Sequence, residues 1–129
     1  MRKHGPPSFG AMSDGSTPVF LQGPFAFEGM GLDEPRLIDD SLRYVVPAGT
    51  TTQPVYFRGG NSTEDMISVV LFCNGKPLRY FPIGAKNATH VALRVVEDLL
   101  ADSVLELHVA APSGCTGTVV VDLGLVQIQ

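Results

Sequence analysis

Residues 104–129, VLELHVAAPSGCTGTVVVDLGLVQIQ, decide the fold class. Two valine- and leucine-rich runs flank a turn of Pro, Ser, Gly and Thr, and the second run continues to the last residue. Branched apolar side chains suit a pleated surface, so both runs read as strands, with the C-terminus locked into a sheet. In the first run Leu105, Leu107 and Val109 face inward while Glu106 and His108 face out. In the second, Val119, Val121, Leu123 and Leu125 share one face, but Val126 and Ile128 fall on the opposite parity. A β-bulge near Gly124 would reconcile the halves, because Gly accepts the left-handed bulge geometry. The alternative is a strand covered on both faces, as at a subunit contact.

Upstream, prolines and glycines punctuate short apolar runs. Residues 18–22 (PVFLQ) and 24–28 (PFAFE) read as two extended pieces around Gly23, and residues 32–40 (LDEPRLIDD) as an acidic loop. Residues 42–46 (LRYVV) form a strand with Leu42, Tyr44 and Val46 on one face. Residues 51–58 (TTQPVYFR) form another, with Pro54 marking an edge or a bulge, and residues 59–65 (GGNSTED) a polar loop. Residues 66–73 (MISVVLFC) are apolar on both parities, as expected near a sheet centre. Asn74-Gly75 tolerates φ > 0 at both central positions, so it predicts a tight hairpin returning through residues 76–82. In residues 89–100 Val91, Leu93 and Val95 alternate as a strand while Ala92, Val95, Val96 and Leu99 also fit a helical face; the valines favour a strand to about Val96, followed by a turn or one helical turn through Asp102.

The pattern predicts an all-β fold: one antiparallel β-sandwich of about seven or eight strands with little helix, immunoglobulin-like or jelly-roll. Its boundaries are a flexible arm over residues 1–17 and the sandwich domain over residues 18–129. Residues 1 to about 13 read as a vector-derived leader or a natural arm.

The chain has 129 residues, 44% of them hydrophobic, with a net charge of −4. That supports one domain with a real core and supplies no basic field for nucleic acid. No apolar run is long enough to span a bilayer. The N-terminus has a charged start without an apolar stretch, which is not a secretory signal, so a cytoplasmic location and reduced Cys73 and Cys115 are expected. Asn61-Ser62-Thr63 and Asn87-Ala88-Thr89 fit the glycosylation triplet, which has no meaning in a cytosolic chain.

The motifs for chemistry are weak. The candidate metal ligands are His4, His90, His108, Cys73, Cys115 and four methionines. No Cys-x-x-Cys, His-Glu-x-x-His or His-x-His spacing joins them, and Cys115 has no following His or Met to complete a copper loop. His90, His108 and Cys115 are the weak metal set, and His108 reads more simply as a solvated strand histidine. Cys115 lies in a flexible turn with no charge nearby to activate it, and Cys73 reads as packed. No Gly-x-Ser-x-Gly elbow occurs. The pairs Asp39-Asp40, Glu64-Asp65 and Glu97-Asp98 read as loop charges, with calcium at Asp33, Glu34, Asp39 and Asp40 a weak option. No cofactor is expected.

Binding surfaces remain. Tyr56 and Arg58 on one strand and Arg79 and Tyr80 on another suggest a Tyr/Arg patch, and Val126 and Ile128 a contact on the last strand. The first reading is therefore a non-enzymatic interaction or assembly module, binding a protein partner or self-associating. The alternatives are a small-ligand or carbohydrate-binding module, weakened by the absence of Trp, and a copper-type metal protein.

Overall fold

In a computed structural model, residues 15–95 and 97–129 are described. The expectations placed on residues 1–14, including the leader and His4, and on Val96 lie outside them. The elements are β1 (Ser16–Glu28), β2 (Gly31–Leu37), a 3-10 turn (Asp40–Leu42), β3 (Arg43–Val45), β4 (Thr51–Asn61) and β5 (Ile67–Cys73). They continue with β6 (Lys76–Ile83), β7 (Ala88–Ala92), β8 (Leu99–Leu100), β9 (Val104–Ala111) and β10 (Thr116–Ile128). Sheet A has the order β1-β10-β4-β7, with β8 also on β4; sheet B has the order β2-β9-β5-β6, with β3 also on β9. All pairings are antiparallel.

The pairings are nested. β1 meets β10, β2 and β3 meet β9, β4 meets β7, and β5 meets β6. The chain is thus one long ribbon closed by the β5–β6 hairpin and rolled so that β1, β4, β7, β8 and β10 fall in one sheet and β2, β3, β5, β6 and β9 in the other, which is the jelly-roll alternative of the sandwich. Asn74 and Gly75 hold φ of 54° and 80°, the double positive-φ turn expected of them. The last two strands flank a turn as expected, but that turn carries the chain from sheet B to sheet A.

The core lies between the sheets. Leu21, Phe57, Val119, Val121, Leu123 and Leu125 from sheet A meet Ile67, Val69, Leu71, Phe81, Leu105 and Leu107 from sheet B. Phe57 stacks on Phe81 across the interface, with centroids 4.3 Å apart and planes 9° apart. Gly59 leaves that ring its space: a Cβ there would come within 2.7 Å of Phe57 and 2.9 Å of Ile83.

Several local expectations need correction. Residues 18–28 form one strand rather than two pieces, because Gly23 (φ 147°) continues the ladder opposite Val121. The acidic segment is an edge strand, β2, which tolerates Pro35 because it pairs on one side only and irregularly. β4 runs on through Gly59, Gly60 and Asn61, which pair with Val121, Val120 and Val119. A bulge does occur at Gly124/Leu125, but the register there skips from Tyr56 to Pro54, so the extra residue is Val55 on β4. β10 keeps its parity, and Val126 and Ile128 lie half-buried on the outer face of sheet A. Glu97 and Asp98 tie a connecting segment to both sheets, through Arg79 Nε (3.2 Å, sheet B) and Gln53 Nε2 (2.6 Å, sheet A).

Cys73 and Cys115 are free thiols at opposite ends of sheet B. The stretch of β9 between them spans about 20 Å, so no bridge forms within the chain. Among the described residues no helix is long and apolar enough to cross a membrane.

The bottom of the β4–β5 connection is organised by a buried amide. Asn61 Nδ2 donates to the carbonyls of Asp65, Ile83 and Gly84, while its Oδ1 accepts from Thr63 N and Oγ1. That side chain is 5% exposed, so the first glycosylation triplet cannot present its acceptor in the folded chain. Asn61→Ala leaves several buried polar groups unpaired, and urea unfolding is expected to show a loss of about 2–4 kcal/mol.

Candidate functional site on the outer face of sheet A

Period-two alternation turns every second residue of β1, β10, β4 and β7 away from the core. Registry aligns these residues in rows across the strands. The central row is Gln22–Asp122–Arg58–His90. Beside it lies a row of small or apolar residues, Pro24–Val120–Gly60–Ala88, and on the other side the row Phe20–Gly124–Tyr56–Ala92. The small row makes a depression of about 1000 Å³, lined by residues 22–24, 58–60, 88–90 and 120–122. Each of the four strands thus contributes three lining residues, and among the described residues no loop contributes any.

Asp122 is the organising group. Its Oδ2 accepts from Arg58 Nη2 at 2.7 Å and Nε at 3.2 Å, and its Oδ1 accepts from the Tyr56 hydroxyl at 3.0 Å. Arg58 remains largely exposed while Asp122 is only 16% exposed, so the carboxylate is held in place beneath the guanidinium. Tyr56 reaches Asp122 because its ring lies across Gly124, where a Cβ would collide with the ring carbons. Gly124 is therefore needed for space rather than for left-handed backbone. Arg58 Cζ sits 5.4 Å from the Tyr56 centroid, and His90 meets that ring edge-on at 6.2 Å.

The electrostatics follow from this packing. Burial first, then the hydrogen bond and the charge of Asp122, hold the Tyr56 phenol above its ordinary value. The hydrogen bond and charge of Asp122 also raise Arg58 further. Both groups therefore stay protonated donors toward Asp122 throughout the neutral range.

The residues singled out in the sequence separate into two sets. Tyr56, Arg58, Val126 and Ile128 share the outer face of sheet A, whereas Arg79 and Tyr80 belong to β6 in sheet B. The expected Tyr/Arg patch of four is therefore split between the two sheets. The weak metal set is dispersed as well: His90 is in the trough, His108 is on the outer face of sheet B, and Cys115 is in the β9–β10 turn packed against the core. No group of three or more His, Cys, Asp or Glu suited to a metal occurs among the described residues. His108 is not solvated. Its side chain is 14% exposed and stacks on Phe72 at 4.0 Å, with Nε2 3.0 Å from Glu106. Sequence reasoning missed Gln22, Asp122 and Gly124 as site residues. The period-two pattern marks Asp122 as outward, but only the strand order sets it beside Arg58.

No family model matches the chain, and no curated protein matches it in sequence. Among solved structures, the CBM36-1 domain of a multidomain xylanase from the hindgut metagenome of Trinervitermes trinervoides superposes with a TM-score of 0.53 at 15% identity. That match covers 85% of this chain and 96% of that domain. A family 35 carbohydrate-binding module from Clostridium thermocellum gives 0.48 at 14% identity, over 84% and 97%. The first likeness is one of fold, an antiparallel β-sandwich.

A raised phenol pKa in the fold means that its stabilisation is whole below the ordinary tyrosine value of about 10 and is lost as pH rises through the folded value. The difference between wild-type and Tyr56→Phe tyrosinate absorbance titrations is expected to have its midpoint above about 10. Gly124→Ala is expected to lift the ring, return that midpoint toward 10 and lower stability by about 1–3 kcal/mol in urea unfolding. An unchanged midpoint in Gly124→Ala would show that the ring does not depend on the missing Cβ.

Proposed function

We propose that this chain is a carbohydrate-binding module that holds a glycan in the trough on sheet A. The observation that carries the reading is the in-register row Gln22–Asp122–Arg58–His90, set in an open depression. Sugars present adjacent hydroxyls that both donate and accept. Planar amide, carboxylate, guanidinium and imidazole groups can each meet two of them. Asp122 spends two of the five Arg58 donors, which leaves the guanidinium capacity for a ligand. Holding Asp122 from two sides fixes its orientation before binding, which lowers the entropy lost when a flexible hydroxylated ligand docks. Phe20, 51% exposed in the adjoining row, offers an apolar surface to the C–H face of a sugar ring, in place of a Trp platform.

The fold likeness to a carbohydrate-binding domain of a xylanase supports the same reading. It is preferred over assembly through this face. A stable protein contact wants a centre depleted in charge, and here the Arg58–Asp122 ion pair stands at the centre of the face.

Affinity electrophoresis through gels containing soluble xylan, mannan, mixed-linkage glucan, galactan or pectin tests the reading. Retardation by at least one polysaccharide is expected. Arg58→Ala and Asp122→Asn should each weaken it about tenfold or more, since a hydrogen bond to a charged group contributes about 1.5–3 kcal/mol. Free mobility in every gel would overturn it.

A further inference from the structure

The geometry points to a glycan bound through an internal stretch of an extended chain that runs perpendicular to the strands, rather than through a terminal sugar. The inference rests on the carbohydrate-binding reading above and adds the form of ligand that the trough accepts.

Three observations lead to it. First, the polar row crosses the whole sheet. Gln22 is on β1 and His90 on β7, the two ends of the order β1-β10-β4-β7. Second, every lining residue among those described belongs to one of those four strands. Recognition of a chain end needs a wall that stops the sugar, and such a wall would come from a loop rising above the sheet. Among the described residues no loop residue lines this trough, and its described lining runs out to both edge strands. Third, the sides run parallel to the row. The Tyr56 and Phe20 row flanks it on one side, and the floor of the depression, the row Pro24–Val120–Gly60–Ala88, runs along the other. A ligand aligned with the strands would have to cross the Tyr56 ring, whereas one aligned with the row meets a polar group at each strand.

The dimensions agree. Neighbouring strands are about 4.8 Å apart, so the row from Gln22 to His90 covers about 14 Å. One pyranose unit of an extended chain spans roughly one interstrand spacing, so the row takes about three to four units. Arg58, held in place by Asp122, serves the middle units, and Gln22 and His90 the outer ones. Both outer side chains are exposed on edge strands and make no core contact, so removing them leaves the fold intact.

Calorimetric titration with xylo-, cello- and manno-oligosaccharides of one to six units, alongside the parent polysaccharides, tests the inference. In the series that binds, affinity is expected to rise about tenfold or more from one unit to three or four and then level off, with the polysaccharide as tight per site as the hexamer. Gln22→Ala combined with His90→Ala should lower hexamer affinity several-fold while changing disaccharide affinity little, with thermal unfolding unaltered. Two results would overturn the inference while leaving carbohydrate binding standing. One is a monosaccharide binding as tightly as the hexamer; the other is a double variant with full hexamer affinity. Heat-silent titrations at every length and with every polysaccharide, together with free mobility in the gels above, would remove the function itself.

Discussion

The antiparallel pairing of the first strand with the last, unbroken from Ser16–Ile128 to Glu28–Thr116, is the constraint on which the rest of the structure depends. It places β10 in the interior of sheet A, paired with β1 on one side and β4 on the other. A strand in that position has both backbone edges satisfied, so its side chains alone decide what the two faces become. Val119, Val121, Leu123 and Leu125 go to the core, each at most 1% exposed. Val120, Asp122 and Gly124 go to the outer face. A one-residue slip of this pairing would exchange the two sets, burying a carboxylate and exposing four aliphatic side chains.

The trough follows from that choice. Its floor is low because Gly60 and Ala88 fall in the same row as Val120. Its polar row is ordered because Asp122 falls between Gln22 and Arg58. Gly124 adds the last piece, a gap into which the Tyr56 ring folds so that its hydroxyl reaches Asp122. The bulge beside it, at Val55, lets β4 keep pairing with β10 without reversing the parity of either the core row or the site row. The outer face of sheet B took a different course. There Val70 is fully buried, and His108 stacks on Phe72 instead of meeting water.

Local chemistry carried much of the fold into the sequence. Asn74-Gly75 announces its hairpin because few other residue pairs accept two positive φ angles. The alternation in residues 104–109 and 119–125 announces strands with one buried face, and the apolar run 66–73 announces an interior strand. The failures have physical causes as well. Gly59 and Gly60 resemble a loop, yet in place they are strand residues whose missing side chains make room for Phe57 and for the trough. The acidic segment with Pro35 resembles a loop because an edge strand needs only half the hydrogen bonds of an interior one. His108 resembles a solvated residue because its parity was legible, whereas the cover supplied by Phe72 from the neighbouring strand was not.

The site separates what each level determines. The sequence by itself determined the strand character of residues 66–73, 104–109 and 119–125, the tight turn at Asn74-Gly75 and the facing of the side chains in the last two runs, because those depend on residues within a few positions of one another. Only the tertiary structure decided the jelly-roll order and the company each outward residue keeps. Arg58 and Asp122 are 64 positions apart, and Tyr56 and Asp122 are 66 apart. Their meeting depends on β10 docking between β1 and β4, a long-range pairing selected by the burial of whole apolar rows rather than by any residue of the site. The sequence therefore marked Asp122 as outward, and the sheet order set it in a row with Gln22, Arg58 and His90.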